Sequence, residues 1–404
     1  MDSSPLSGDT LLQRFQALDA FLLEHQALWK PRSFIHRELP WERDHPQLSQ
    51  WLRSRSLQDA EHAHNTPHDL PAPQPFPQLA EQALRLSQVG PLAQHALPAV
   101  SPRASVDVPG RKWQQILAFA GSTQFSRPVD HWLDWCAGKG HLGRVLVQNG
   151  QSLTCLDYQA ELVVSGQRLS QKLGIAAQHR QQDVMAADAG TYLLPHHAPV
   201  ALHACGDLHV RLMHLASRTG CTQLAIAPCC YNRTEAPSYL TLSTAASASQ
   251  LTLSRDDLGL PLSETVTAGA RVRRQRDLSM TRRLAFDVLQ RELRGIDEYL
   301  PTPSLPPAWL DKDLATYCAD LAKLKGLPTP SPRDWQTLEA EGWQRLAEVR
   351  NLELLRALFR RPLEVWLLLD RALYLQEQGY TVQLGQFCDY SLTPRNLLLL
   401  AEQR

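Results

Sequence analysis

A glycine-rich turn after a short apolar stretch is the feature that most constrains the fold of this chain. Residues 131–135 read HWLDW and predict a buried strand, residues 136–143 read CAGKGHLG and predict a glycine-rich turn, and a helix is predicted to start after Gly143. Small residues in the turn leave backbone N–H groups uncovered, so a ligand can approach the chain closely. By itself such a turn is also typical of an ordinary strand-to-helix connection. The turn residues of interest are Cys136, Ala137, Gly138 and Gly140.

Apolar segments alternate with helical patterns after this turn. Alternation of this kind predicts a parallel, doubly wound sheet that binds ligands at the carboxyl ends of its strands. Asp157 ends the second strand, 23 residues after Asp134. That separation is close to the roughly 20 residues expected for an acid that binds ribose hydroxyls. The four further strands are predicted at residues 153–157, 179–184, 199–208 and 223–232.

The end of the chain returns to the same pattern. Residues 362–379 predict an apolar helix that ends at Gly379, and residues 380–388 and 396–403 predict two strands. These strands place an antiparallel strand in an otherwise parallel sheet. Residues 233–360 show little strand pattern and several helical runs, which predicts a mainly helical insertion.

The first part of the chain predicts a helical region. Residues 9–30 and 78–97 have helical periodicity, and the Pro-rich, polar residues 61–77 between them predict a loop. The predicted organisation is a helical region, a first core part, an Arg-rich insertion and a final core part. Their boundaries are 1–105, 106–232, 233–360 and 361–404.

Composition excludes several classes of protein. Lys plus Arg and Asp plus Glu both number 41, so no global charge attracts the chain to nucleic acid or a membrane. No apolar run reaches the roughly 18 residues of a membrane-spanning helix. The polar first residues lack a signal-peptide pattern. Eight cysteines, mostly within apolar strands, favour a reduced, cytoplasmic protein over a disulfide framework.

One segment, Arg271–Arg294, is dense in arginine. Such a local positive patch suits the phosphate backbone of RNA. The alternative is a solvated helix face whose arginines form ion pairs. The arginines are Arg271, Arg273, Arg274, Arg276, Arg282, Arg283, Arg291 and Arg294.

Four motifs together resemble a known family. They are DWCAGKGHLG (134–143), ALHACGDL (201–208), APCCYN (227–232) and SLTPRNLLLLA (391–401). In this order they are similar to the methyltransferase-like 25 type family of class I methyltransferases, over roughly residues 106–232 and 362–404. The resemblance implies an α/β, Rossmann-like fold with a seven-stranded sheet. It also implies S-adenosylmethionine as the cofactor.

The resemblance also implies which residues bind that cofactor. Asp134 suits the cationic amine of the methionine part, Asp157 the ribose, and Asp183 the adenine amino group. Each acid has a plainer alternative, which is to cap a helix or to lie in a loop. The complete predicted set is Asp134, Cys136, Ala137, Gly138, Gly140, Asp157, Tyr158, Asp183, Val184 and His203.

Candidate catalytic residues follow the fourth and fifth strands. His203 or Asp207 is a general-base candidate, although a buried histidine and a helix-capping aspartate are the alternatives. Tyr231 is a candidate for stacking on a planar substrate. Cys229 or Cys230 is a candidate thiolate nucleophile, with packing in a core strand as the alternative.

Several hypotheses remain open at this stage. The leading one is an S-adenosylmethionine-dependent methyltransferase acting on RNA, with a protein or a small molecule as alternative substrates. A non-catalytic RNA- or ribosome-binding module is a second, and a nicotinamide-dependent oxidoreductase is a third, although Asp134 would repel its pyrophosphate. A metal site at Cys136, Cys205, Cys229 and Cys230 is not favoured, because no CxxC spacing is present and adjacent cysteines rarely bind one metal. No metal is predicted.

Overall fold

The computed structural model describes residues 4–97, 101–148, 150–263 and 269–403. The chain divides into two compact units. The first comprises Met1–Leu23, Leu86–Ser263 and Arg361–Arg404, and the second comprises Glu24–Arg85 and Glu264–Arg360. Each unit therefore draws on separate stretches of the chain. The four consecutive segments derived from the sequence stay a prediction.

The first unit contains one sheet. Its strands are β1 (Leu6–Ser7), β2 (His131–Trp135), β3 (Ser152–Asp157), β4 (Ala177–Gln181), β5 (His197–Cys205), β6 (Gln223–Cys229), β7 (Tyr380–Gln386) and β8 (Leu397–Gln403). They lie in the order β1-β7-β8-β6-β5-β2-β3-β4. Strands β2 to β6 pair in parallel, whereas β8 is antiparallel to both β6 and β7.

The α/β class of the fold is confirmed, and the predicted count of seven strands is wrong. The eighth strand is β1, whose residues Leu6 and Ser7 pair with Leu384 and Gln383 of β7. Two residues are too few to show the alternation by which a strand is recognised in a sequence. The order of the parallel strands changes direction at β2, which pairs with β3 on one side and with β5 on the other.

Helices connect and cover these strands. Those of the described residues are α1 (Asp9–Glu24), α2 (Gln26–Trp29), α3 (Pro46–Arg53), α4 (Leu57–Ala63), α5 (Phe76–Ser87), α6 (Gly110–Ser122), α7 (His141–Leu146), α8 (Ala160–Lys172), α9 (Asp207–Thr219), α10 (Thr244–Ser247), α11 (Ala270–Arg294), α12 (Leu314–Leu324), α13 (Trp335–Ala357) and α14 (Arg360–Glu377). Short 3₁₀ helices lie at Pro40–Glu42, Pro67–Asp69, Pro102–Ser105, Ala187–Tyr192, Asp257–Leu262 and Pro307–Asp311. Among the described residues, no helix is long and apolar enough to span a membrane.

Continuous apolar strands form the core of the first unit. All residues of β6 are buried, as expected for a parallel strand covered on both faces. Phe119 of α6 packs edge-on against Phe387, and both are buried in the cluster that includes Trp132 and Leu153. This core fixes the carboxyl ends of the parallel strands at one edge of the sheet.

Three predicted strands end earlier than expected. β4, β5 and β6 end at Gln181, Cys205 and Cys229, each three residues before the predicted end. After β5 the chain turns at once into α9, which begins at Asp207. Consequently Asp183 and Tyr231 lie in the connections beyond the strands, and Asp207 is the first residue of α9.

Two predictions for the first 105 residues are wrong. Residues 61–77 are not all loop, because α4 extends to Ala63 from a capping box in which Ser56 accepts from the N–H of Asp59 at 3.1 Å. The predicted helix over 78–97 ends at Ser87. Beyond it, Leu92 donates to the carbonyl of Gln386 at 2.8 Å. That segment therefore runs along the edge of β7.

The second unit is helical, and most of its arginines between 271 and 294 are used inside it. Arg291 is 7% exposed and donates to Asp287 at 2.9 Å and to Asp297 at 2.8 Å. Arg282 and Arg283 donate to backbone carbonyls of Trp309 and Pro303, respectively. Exposed arginines remain at the start of α11, at Arg271, Arg273 and Arg274.

Candidate functional site

The turn after β2 has one packed side and one open side. Cys136, Gly138 and Gly140 all have positive φ angles, of +57°, +57° and +71°. A Cβ at Gly140 would lie 2.6 Å from Cε1 of His179 and 2.8 Å from Sγ of Cys155, so only glycine fits there. At Gly138 no atom lies within 4 Å of the position a Cβ would take. The backbone of Gly138 is thus accessible to a ligand.

Asp157 holds the open side of this turn. Its Oδ2 accepts a hydrogen bond from the N–H of Gly138 at 2.7 Å, and its Oδ1 accepts one from the N–H of Gln159 at 2.9 Å. The residue is half-buried at the end of β3. The predicted ribose acid and the predicted cofactor turn are therefore in direct contact.

Asp134 lies deeper than the sequence suggests. It is 3% exposed, and its Oδ2 accepts a hydrogen bond from the N–H of Gly143 at 2.9 Å. Burial raises the pKa of Asp134 to about 7, although the hydrogen bond from Gly143 and the charge of Arg144 act in the opposite direction. The helix-capping contact considered as the plainer alternative is present. A role toward a cationic amine stays a prediction.

The segment after β4 lies beside the end of β3. The N–H of Gln182 donates to the carbonyl of Asp157 at 2.9 Å. Asp183 is exposed and accepts from the N–H of Met185 at 2.9 Å. Of the two neighbouring candidates, Val184 is 4% exposed and Tyr158 is 70% exposed. Asp183 therefore presents its carboxylate at the same edge of the sheet as Asp157.

The end of β5 is distorted around His203. The pairing with β6 shifts register between Leu202 and Cys205, and His203 has a φ of +69°. Its Nε2 lies 2.9 Å from Oε1 of Gln115 on α6. Because an amide oxygen accepts, Nε2 donates and Nδ1 is left as the acceptor of a neutral ring. Burial lowers the pKa of His203, which favours this neutral form.

Asp207 ties the start of α9 to the loop after β6. Its N–H donates to the carbonyl of Arg233 at 3.1 Å, and its Oδ2 accepts from the N–H of Glu235 at 2.9 Å. A Cβ at the preceding Gly206 would lie 1.9 Å from the carbonyl oxygen of Arg233. Glycine is therefore required at position 206 for this close approach.

Three of the strand-end cysteines form a cluster. The sulfurs of Cys205 and Cys229 lie 3.7 Å apart, and the sulfurs of Cys205, Cys229 and Cys230 all lie within 4.8 Å of one another. Hydrogen bonds from the Cys205 and Cys229 thiols lower the pKa of Cys230. The group found among the described residues does not include Cys136, where burial raises the pKa to about 12.

A cavity of about 710 Å³ lies beside α9. Tyr231 lines it but is only 2% exposed, and the guanidinium of Arg371 lies 5.0 Å from the centre of its ring. The Tyr231 hydroxyl is buried and has no hydrogen-bond partner among the described residues. One face of the ring is thus covered, and stacking of Tyr231 on a substrate stays a prediction. Other lining residues include Asp207, Arg211, His214, Glu235 and Tyr239.

Two residues of the site, Arg371 and Gln115, were not predicted from the sequence. Arg371 donates through Nε to Nε2 of His209 at 2.8 Å and through Nη1 to the hydroxyl of Tyr239 at 3.0 Å. A signal for Arg371 was available, since Asp370 and Arg371 are adjacent charges in the middle of an apolar helix. Gln115 gave no such signal, because one polar residue on an amphipathic helix is ordinary.

Comparison with known proteins agrees with this geometry. Residues 111–237 match a family model described as a methyltransferase domain. The chain therefore carries a methyltransferase domain. Domains of this kind generally use S-adenosylmethionine.

One solved structure also matches, at low similarity. It is described as a low-resolution structure of WbdD with an ordered C-terminal bundle. The match is 17% identical, covers 34% of this chain and 29% of that one, and has a TM-score of 0.23. The chain thus matches less than a third of the length of that structure.

Proposed function

We propose that this protein transfers a methyl group from S-adenosylmethionine to a substrate bound beside the carboxyl ends of β5 and β6. The observation that carries the proposal is the contact between Asp157 and Gly138, at 2.7 Å, on the side of the turn where a Cβ would meet no atom. An accessible backbone beside a strand-end carboxylate is what a nucleoside cofactor requires on this type of fold.

The residues present fit the cofactor. Asp157 would bind the ribose hydroxyls, Asp183 the adenine amino group, and Asp134 the methionine amine. The turn residues Cys136, Ala137, Gly138 and Gly140, with Tyr158, Val184 and His203, would complete the site. When bound, S-adenosylmethionine supplies a sulfonium methyl group that a nucleophile takes by in-line displacement.

His203 is the better supported of the two predicted bases. Its neutral ring has one acceptor nitrogen, Nδ1, and a depressed pKa keeps that nitrogen unprotonated. The carboxylate of Asp207 already accepts from Glu235. We therefore propose that His203 accepts the substrate proton and that Asp207 positions the loop that contains Tyr231. Gln115 orients the ring of His203.

An RNA substrate is proposed on narrower grounds. Arg271, Arg273 and Arg274 are exposed on one helix of the second unit and suit a phosphate backbone. The order of the four motifs supports a relationship to the methyltransferase-like 25 type. Methyl-transfer assays on separate acceptor fractions would distinguish an RNA substrate from a protein or small-molecule acceptor and from RNA binding without turnover.

The first test is cofactor binding. S-adenosylmethionine and S-adenosylhomocysteine would be titrated calorimetrically into the wild type, Asp157→Ala and the control Glu161→Gln, which alters an exposed acid nearby. We expect affinity to fall by about tenfold or more in Asp157→Ala, which corresponds to ~1.4 kcal/mol, and to be unchanged in the control. Absence of binding by the wild type would overturn the proposal.

The second test is turnover. Transfer of a labelled methyl group would be measured with RNA, protein and small-molecule fractions as separate acceptors. His203→Gln should lower kcat by a larger factor than it weakens the binding of S-adenosylmethionine. Label in RNA would support the RNA proposal, and label confined to another fraction would replace it.

A further inference from the structure

We propose that Cys205, Cys229 and Cys230 bind one thiophilic divalent cation, Zn²⁺, through three thiolates, with a fourth position open toward the substrate. Nothing in methyl transfer itself requires three cysteines at this place. The three-thiolate site stands on the geometry of the cysteines, and only the access of the substrate to the fourth position rests on the proposed function.

The distance between two of the sulfurs is that of a tetrahedral zinc site, and the third sulfur lies close by. Zinc binds thiolate sulfur at about 2.3 Å, so two thiolates on a tetrahedral ion lie about 3.8 Å apart. The sulfurs of Cys205 and Cys229 lie 3.7 Å apart. The sulfur of Cys230 is within 4.8 Å of both. It therefore needs to move closer by no more than about 1 Å to complete the set.

The backbone explains how two adjacent cysteines reach one ion. Successive side chains of a strand point to opposite faces, which argues against shared binding by Cys229 and Cys230. However, β6 ends at Cys229, and Cys230 has a φ of +50°. The left-handed conformation reverses the direction of the chain at Cys230 and brings its sulfur to the side of Cys229.

A distortion of β5 places the third cysteine, Cys205, beside the other two. The register shift in β5 makes Cys205 the pairing partner of Cys229, and His203 within the shift has a φ of +69°. Left-handed conformations of residues other than glycine cost about 1–2 kcal/mol each. Such strain is concentrated at functional sites. Here two strained residues lie on the two strands that carry the cluster.

The chemistry of the donors selects the ion. Thiolates favour zinc and other soft cations over magnesium or calcium. Three protein ligands with an open fourth position are typical of catalytic rather than structural zinc. Cys205 and Cys230 are half-buried, and all three cysteines are free of disulfides. The fourth position is thus left for water or for a donor atom of the substrate.

The test is metal binding by the full chain, purified under reducing conditions. Metal content would be measured by mass spectrometry, and Co²⁺ would then be added as a spectroscopic substitute for zinc. We expect one zinc ion per chain. We also expect cobalt to give a thiolate-to-metal charge-transfer band in the near ultraviolet and the visible bands of tetrahedral coordination.

Variants assign the site. Cys205→Ser and Cys230→Ser should each lose the charge-transfer band or weaken cobalt binding at least tenfold, whereas Cys388→Ser, a half-buried cysteine outside the cluster, should retain both. Circular dichroism and S-adenosylmethionine binding would show that the variants are folded. The imidazoles of His131, His196 and His197 also lie within 4.8 Å of one another, but cobalt bound there would lack the thiolate band.

Two results would overturn the proposal. One is the absence of any thiolate-to-cobalt band in a wild type whose three thiols are shown to be reduced. The other is the same band, at the same cobalt concentration, in Cys205→Ser and Cys230→Ser.

Discussion

Nε of Arg371 donates a hydrogen bond to Nε2 of His209 across 2.8 Å, and both side chains are buried. The other ring nitrogen, Nδ1, lies 2.9 Å from the carbonyl oxygen of Ala204. Because Nε2 accepts, the ring is neutral and carries its proton on Nδ1. Burial and the guanidinium charge hold the pKa of His209 well below its usual range. A neutral histidine therefore links α14 to α9 beside the cavity.

The first prediction is a loss of stability in mild acid. Burial lowers the pKa of His141, His179 and His197 to about 4, and the pKa of His209 also lies well below its usual range. Below the unfolded value of about 6.5, the unfolded chain binds more protons than the folded chain. The stabilising contribution is therefore complete above that pH and is lost as the pH falls toward 4. For His141, His179 and His197 we expect about 1–3 kcal/mol each, which is less than the full pKa shift would give because solvent partly screens these groups.

Urea unfolding at a series of pH values measures this effect. His209→Gln should make the dependence shallower, whereas His62→Gln, which alters an exposed histidine, should not. An equal change in the free energy of unfolding between about pH 7 and pH 5 in the wild type and in His209→Gln would contradict the prediction.

The second prediction concerns cofactor affinity and Asp134. With a pKa of about 7, this carboxyl is partly protonated near neutral pH. A bound cation stabilises the ionised form, so binding of S-adenosylmethionine should release a proton and strengthen as the pH rises through 7. Calorimetry in buffers of different ionisation enthalpy would detect the proton. Asp134→Asn should abolish its release, and an unchanged proton count in that variant would contradict this account.

In the free protein, Asp134 changes the stability with pH in the direction opposite to that of the histidines. Its folded pKa is raised above the unfolded value of about 3.9, so the folded chain binds the extra proton. Its contribution to stability is complete below about pH 4 and is lost as the pH rises through about 7. Asp134→Asn should therefore remove this opposing dependence and make the rise of stability between about pH 4 and pH 7 steeper.

The third prediction compares two glycines with similar backbone conformations. Gly140 and Gly174 have φ angles of +71° and +67°, but only at Gly140 would a Cβ collide with neighbours. Gly174→Ala should cost about 1–2 kcal/mol through the backbone alone. Gly140→Ala should cost about 1–3 kcal/mol more, because His179 and Cys155 must move. Chemical denaturation gives both values, and equal losses would show that the turn tolerates the Cβ.

Much of the fold could be predicted because its determinants are local. Residues 131–135 and 153–157 are mainly apolar, and this local composition is enough to predict two buried strands. The turn between β2 and α7 could likewise be predicted, because the sequence shows its glycines. By contrast, β1 has two residues and exists only because β7 offers an edge for pairing. No local pattern could indicate it.

The parts of the site that were not predicted depend on distant contacts. The convergence of Cys205 with Cys229 requires a register shift in β5 together with a left-handed residue after β6. Similarly, an arginine-rich helix has the same composition whether its side chains face solvent or a packed neighbour. Asp297, which partners Arg291, lies beyond the helix itself.

The fourth prediction separates two classes of arginine on α11. Arg291→Ala should destabilise the second unit by about 3–5 kcal/mol, since it leaves the buried Asp287 without its cation. Arg273→Ala should leave stability unchanged and, if RNA is the substrate, should weaken RNA binding and reduce its salt dependence by about one ion. Thermal unfolding and RNA titrations at several salt concentrations test both. Equal RNA binding by Arg273→Ala and wild type would remove the support for an RNA contact there.

The outer edge of β7 is covered by two separate pieces of the chain. Leu6 and Ser7 pair with it on one stretch, and Gly90 and Leu92 exchange hydrogen bonds with Gln386 on the next. Without this cover the strand would offer unpaired N–H and C=O groups to any extended peptide. Removal of the first eight residues would therefore leave Gln383 and Leu384 of β7 open to pairing with another extended chain, at the end of the sheet away from β4.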